Sequence, residues 1–421
     1  METFGIVGKS NARENSSANN DAVIEGAHTA APGHSVKLKS SEIPSTISAD
    51  RANARFLALD FVRFLMALCV VLFHYEIFIS PNVPLDQKWF GGFDAAVDFF
   101  FMLSGFVICH SYGNTTWNFE GYLNYIQRRI ARIYPLHLAT LFVFIIALGF
   151  AGFFGVSINN GARYDLWDIP AQLLLVHSWG VQDHLSFNHV SWSVSAEFFL
   201  YLIFPILLTI VRQDGIIKSL VFLICIIALL SFLTGDTSQK HWMSRSYDFG
   251  ILRAVPSFFL GIILWHLWFQ YSPTRQLSWF WPILSTMIAL VLMVIQAPGE
   301  LMLGVFAVCI LLTAMTEFNR EFGGVTSRVM KTLGDASYGL YMLHPLVGLA
   351  MFKVIVPKVS WLTEMPILAA FLAFCLSLVA ALISYKVFES PMRRWMSHPV
   401  WRVKSPQLPK VLGEEKKESV A

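Results

Sequence analysis

Residues 59–78 read LDFVRFLMALCVVLFHYEIF, an apolar run long enough to cross a hydrocarbon core of about 30 Å as a helix. Runs of the same kind recur near 56–80, 95–113, 132–155, 190–211, 217–233, 250–268, 280–296, 301–316, 333–356 and 366–388. They predict about ten spans. The expected fold is all-α, a polytopic transmembrane bundle set in a lipid bilayer such as the cell membrane. Ala297-Pro298-Gly299-Glu300 is a tight turn suited to a helical hairpin. The run 170–179 is too brief to cross and is expected to lie in the interface.

Composition agrees. Of 421 residues, 55% are hydrophobic and 14% charged, against about 25% charged in a soluble domain. The formal net charge of +3 and the lack of a basic block exclude a nucleic-acid partner. Cys69, Cys109, Cys225, Cys309 and Cys375 each sit alone in apolar sequence, which fits neither a disulfide framework nor a zinc site, so no metal is expected. Three segments follow: a polar tail over 1–50, expected to be disordered, a membrane domain over 51–396, and a C-terminal tail over 397–421. With the N-terminal tail in the cytoplasm, the inside loops hold Arg128, Arg129, Arg132, Arg212, Lys218, Arg275, Arg320, Arg328 and Lys331. The outside loops hold Lys88, Arg163, Lys240, Arg245 and Lys358. Basic residues therefore place both termini inside.

In lipid, an ionisable residue within a span is costly and so informative. Arg63 and His74 lie eleven positions apart, about three helical turns plus 20°, on one face and about 16 Å apart along the axis. The pair suits an elongated ligand with an anionic end and a reactive end. The plainer alternative is a snorkelling arginine and a histidine bonded to a neighbouring helix. In VDFFFMLSGF, Asp98 and Gly105 share a face and Ser104 stands beside them. In IQRRIARIYPLH, Arg128, Arg129 and Arg132 form a guanidinium cluster able to grip phosphate bidentately, or to serve as a membrane anchor. Ser193, Glu197 and Tyr201 are spaced by four and make one polar stripe. Ser337, Tyr341 and His344 make another. Glu389, Pro391 and Arg393 mark the exit of the last span. Outer segments 155–189 and 234–249 carry His177, His184 and His189, suited to sugar contact or to interfacial anchoring. No Walker A loop, GxGxxG, HExxH or GxSxG motif occurs. Buried charges alone would also suit a transporter of a sugar, glycolipid or organic anion, although no internal duplication is found.

Taken in order, the Arg/His pair of the first span, VDFFFMLSGF, RRIARIYP, WSVSAEFFLY, LGDASYGLYMLH and FESPMRR resemble the acyltransferase family 3 membrane proteins over roughly residues 56–395. The resemblance implies transfer of an acyl group, most often acetyl, from cytoplasmic acyl-CoA to a hydroxyl of a saccharide or glycolipid acceptor. Acyl-CoA would be a co-substrate, with no cofactor tightly bound. It also implies that Arg63 and His74 are the essential first-span pair, with Glu197 expected to orient or charge-stabilise the imidazole. Arg128, Arg129 and Arg132 would hold the donor's phosphates. Asp98, Ser104, Ser337, Tyr338, His344 and Glu389 are further candidates. With no soluble domain expected after the last span, an onward transfer outside would need a separate extracytoplasmic transferase.

Overall fold

The computed structural model describes residues 55–153, 161–234, 241–271, 277–318, 320 and 322–398. The N-terminal tail, and the C-terminal tail beyond 398, lie outside the described residues. Among the described residues there are helices and turns but no strand. The main helices are α1 (Leu57–Ile79), α2 (Ala96–Tyr112), α3 (Phe119–Phe153), α4 (Trp192–Thr234), α5 (Gly250–Tyr271), α6 (Phe280–Val294), α7 (Gly299–Glu317), α8 (Gly324–Leu349), α9 (Pro366–Ser384) and α10 (Ser390–Met396). A π-helical turn, Tyr385–Glu389, carries α9 into α10.

Eight helices among the described residues are long and apolar enough to cross a membrane, and α6 is a shorter apolar helix. The apolar runs of the sequence map onto these. The runs 190–211 and 217–233 are the two halves of α4, which breaks at Gly215. There φ is 76° and ψ 171°, a conformation open to glycine and costly for any residue with a Cβ. The protein is a multi-pass membrane protein. Its lipid-facing surface is made of apolar side chains left exposed by the fold, such as Phe222, Ile224 and Phe232 on α4, Ile283 on α6, and Ile367 and Phe371 on α9.

α3 starts at Phe119, well before the expected 132. Its first turns, FEGYLNYI, are too polar to register as a membrane run but are still helix-competent, so the arginine cluster sits inside the helix rather than at its start. The run 170–179 contains only a five-residue helix, Ile169–Leu173, followed by turns.

Packing is closest between α2 and α5 and between α1 and α8. In the first pair, a Cβ on Gly105 would lie 2.1 Å from the Phe258 carbonyl oxygen, and one on Gly261 2.0 Å from that of Met102. Only hydrogen at both positions lets the two backbones meet this closely, the small-residue packing typical of lipid-embedded helices. α1 lacks a capping side chain of its own. Glu317, from the end of α7, accepts the Ala58 backbone N–H at 3.0 Å and so caps the first turn of α1.

Candidate functional site

α1 and α8 set the frame. Arg63 donates through Nε to Ser337 Oγ (2.9 Å) and through Nη2 to the Gly334 carbonyl (2.6 Å), and pairs with Asp60 at 3.0 Å. Further along α1, His74 Nδ1 lies 2.9 Å from the Val70 carbonyl and 3.2 Å from His344 Nε2. Gly334, Ser337 and His344 all belong to α8, so Arg63 and His74 face the same neighbouring helix.

The hydrogen-bond partners determine the tautomers. His344 Nδ1 is 3.2 Å from the Leu340 carbonyl, which can only accept, so this nitrogen carries the proton and Nε2 is left as an acceptor. It then faces His74 Nδ1, whose proton is shared between Val70 O and His344 Nε2. The lone pair of His74 is thereby left on Nε2. His74 is half-buried, and the ring of His189 stands edge-on to it with centroids 4.8 Å apart.

A cavity of about 540 Å³ opens beside this seam. Arg63, Arg129, Arg132, Ser104, Glu197, Ser337 and Tyr338 all line it. Arg129 stacks over the rings of Tyr112 (5.5 Å) and Tyr201 (5.9 Å), and its Nε is fully buried with no partner among the described residues. Glu197 accepts from Ser104 Oγ (2.8 Å) and from Tyr201 OH (2.7 Å). Ser193 Oγ is 2.7 Å from Tyr341 OH, which also donates to the Val190 carbonyl at 3.0 Å. Ser193, Glu197 and Tyr201 do form one stripe, and it faces the cavity.

Tyr338 donates to the Ile133 carbonyl at 2.7 Å and ties α8 to α3 beside the arginines. Glu389 accepts from Ser384 Oγ at 2.9 Å and lines an adjoining chamber instead. Phe100 and Tyr341, whose rings meet edge to face at 5.8 Å, form part of the cavity wall. Tyr341 is 6.2 Å from the ring of His344, the partner of His74, and His74 itself does not line the cavity.

Three expectations need correcting. Glu197 does not reach His74, because its carboxylate is held across the cavity by Ser104 and Tyr201. The group on the imidazole is His344. Asp98 is 1% exposed and is spent on α5, where Arg253 meets it through Nε (3.1 Å) and Nη2 (2.8 Å). It does not line the cavity. Arg128 points outward and is exposed, leaving Arg129 and Arg132 as the cavity arginines.

The structure adds residues that the sequence reading passed over. Arg253, 4% exposed, lies over the Trp192 ring at 5.5 Å. Arg55 bridges Asp60 (3.0 Å) and Asp335 (2.8 Å) at the cavity edge. Burial works against its charge, but the two carboxylates outweigh this and raise its pKa. Of the outer histidines, His177 is buried, stacked on His137 at 5.7 Å and 3.2 Å from Ser191 Oγ, whereas His184 pairs with Asp168 and Asp183. Among the described residues, no group of three His, Cys, Asp or Glu side chains is placed to hold a metal ion.

Comparison with known proteins is informative at this point. A family model described as an acyltransferase domain (Acyl_transf_3) matches residues 56–386. The acyltransferase MdmB of Streptomyces mycarofaciens is 28% identical over 71% of this chain and 80% of its own length. The O-acetyltransferase OatA of Staphylococcus aureus is 23% identical over 80% of this chain, which spans 57% of that protein's length. A protein from the picA locus of Rhizobium radiobacter is 37% identical over 21% of this chain. No solved structure matches.

Proposed function

We propose, for a chain that belongs to the acyltransferase 3 family over residues 56–386, that it moves an acetyl group from cytoplasmic acyl-CoA to a hydroxyl of a saccharide or glycolipid. The protein is a membrane-embedded, O-acetyltransferase-like enzyme, and family membership favours group transfer over carriage of a solute. The reading is carried by one observation: the wall of an arginine-lined cavity includes Tyr341, beside the His344 partner of a histidine whose Nε2 is left as a free base.

The chemistry follows from the residues. Donor phosphates enter among Arg129, Arg132 and Arg63, whose guanidiniums supply charge-assisted donors. Arg129 Nε, without a partner among the described residues, is ready for one of them. The pantetheine arm lies along the cavity past Ser104 and Ser337, and displacement of Tyr341 from Ser193 brings the thioester to His74. In direct transfer, His74 Nε2 takes the acceptor hydroxyl proton, the oxygen attacks the thioester carbon, and the C–S bond breaks. The imidazolium then returns its proton to the thiolate. In the two-step variant, Nε2 attacks the thioester carbon and the C–S bond breaks to release CoA as its thiolate. The acceptor hydroxyl then attacks the acyl-imidazolium, freeing the imidazole and a proton that balances the thiolate.

The basic-residue pattern supports an arginine cavity on the cytoplasmic side, with His189 towards the outside. The test is purified protein in detergent with acetyl-CoA labelled in the acetyl group. Release of CoA that is abolished by His74→Ala supports the reading. Label retained on the protein without acceptor selects the two-step variant. No CoA release with a range of saccharide acceptors overturns the reading.

A further inference from the structure

The arginine cavity has a second chamber of about 340 Å³, joined to the first where Arg63, Arg132 and Arg393 line both. Its far wall is α10 and its exit, with Arg394, Ser390 and Ser397. Four guanidiniums face this small volume against two carboxylates, Asp335 and Glu389. Both carboxylates are already engaged, Asp335 by Arg55 at 2.8 Å and Glu389 by Ser384. Arg63 is likewise saturated by Asp60, Ser337 and Gly334.

Arg393 and Arg394 differ from it. Among the described residues neither pairs with a carboxylate. Arg394 donates to Ser390 Oγ at 3.2 Å, and Arg393 lines both chambers beside Arg132. Guanidiniums gathered around a cavity with their own carboxylates already used are set up for a multiply charged anion. A π-helical turn, Tyr385–Glu389, leads directly into α10, and Tyr385, Glu389 and Ser390 line this chamber with the two arginines.

Coenzyme A carries phosphate at two separated places, a diphosphate near the pantetheine arm and a monoester on the ribose. The protein offers two chambers meeting at Arg132. We infer that the second chamber is the subsite for the 3′-phosphate of the donor, with Arg393 and Arg394 as its ligands and the diphosphate left to Arg129 and Arg132. This rests on the acyl-CoA reading above and sharpens it, because the enzyme then selects coenzyme A thioesters from those lacking the 3′-phosphate. The same chemistry, a phosphate monoester, is offered by a phosphatidate headgroup, so the experiment separates the two sources.

KM and kcat are measured in phospholipid-free detergent for acetyl-CoA and for 3′-dephospho-acetyl-CoA, with the unaltered protein and with Arg393→Gln and Arg394→Gln. The unaltered protein is expected to show a KM about tenfold or more higher for the dephospho donor at similar kcat. In the variants the ratio should fall towards one, because only the KM for acetyl-CoA rises. The dephospho donor thus serves as an internal control for folding. Equal KM values in the unaltered protein, or a ratio that neither variant changes, overturn the subsite and leave the donor reading standing. So does a ratio that collapses on adding dioleoyl phosphatidate, which would make the chamber a lipid site. Turnover of neither thioester overturns both.

Discussion

His344 Nε2 stands 3.2 Å from His74 Nδ1 across the seam between α8 and α1, and with the Val70 carbonyl at 2.9 Å it keeps the proton on Nδ1 and leaves Nε2 free. The Leu340 carbonyl at His344 Nδ1, and the Val70 carbonyl that shares the His74 Nδ1 proton with His344, complete an arrangement that leaves Nε2 of His74 unprotonated. On the proposed mechanism His344 is a positioning residue, holding His74 without touching the reacting atoms.

From that arrangement, His74→Ala removes the base and lowers turnover by about 10² to 10⁴. His344→Ala leaves the base present, its Nδ1 proton still on the Val70 carbonyl, but removes the second acceptor that fixes the orientation of the ring. It should lower kcat on the order of tenfold while the KM for acyl-CoA stays put. His344→Gln, whose side-chain oxygen can accept the same proton, should recover part of that loss. Steady-state kinetics on the three variants check this, and a KM effect without a kcat effect would argue against this positioning.

The arginines separate by direction on α3. Arg129→Gln and Arg132→Gln should each raise the KM for acyl-CoA by about tenfold or more, since each removes a charge-assisted donor from the cavity. Arg128→Gln should leave KM unchanged because its side chain is exposed and faces away. The same kinetic assay compares all three.

Asp98 and Arg253 form an ion pair between α2 and α5, at 1% and 4% exposure. Removing one partner leaves the other charge buried, so Asp98→Asn should destabilise the protein by about 3–5 kcal/mol. Adding Arg253→Met should restore much of the loss by removing the orphaned guanidinium. Thermal unfolding in detergent reads both, and equal Tm values for the single and double variants would contradict the pairing.

His184 lies outside the spanning helices, 2.5 Å from Asp183 and 2.9 Å from Asp168. Its hydrogen bond with Asp183 raises its pKa above the usual imidazole value, burial opposes this, and Asp168 adds to the rise. A pKa raised by folding means the pairing is fully present below the unfolded value of about 6.5 and is lost as pH rises through the folded value. Limited proteolysis of segment 180–188 should therefore quicken as pH climbs above that range. His184→Asn should make the rate independent of pH.

Much of this arrangement could be read from spacing alone. The helical period places Arg63 with His74, Ser193 with Glu197 and Tyr201, and Ser337 with Tyr341 and His344. In each case the structure finds them on a common face. Spacing does not reveal which neighbouring helix a face meets. Asp98 lies on the face of α2 that also carries Gly105, but its partner is 155 positions away on α5. Glu197 needed a hydrogen-bond donor and found Ser104 rather than the histidine assigned to it. Arg128 and Arg129 are adjacent in sequence and differ by about 100° around the helix, so one faces the cavity while the other faces out. That rotation was knowable in principle. The inward direction of α3 was not, because it is set by packing against helices distant in the chain.

The edge-to-face contact of Phe100 with Tyr341 has a bearing beyond catalysis. A hydrated path running from an arginine vestibule through a histidine to the opposite water phase would short-circuit the electrochemical gradient across the bilayer. Tyr341, braced by Ser193 and the Val190 carbonyl, with Phe100 against it, would interrupt that path and, on the proposed mechanism, serve as an electrical barrier that the donor has to displace. A resting enzyme built this way leaves the energised membrane intact.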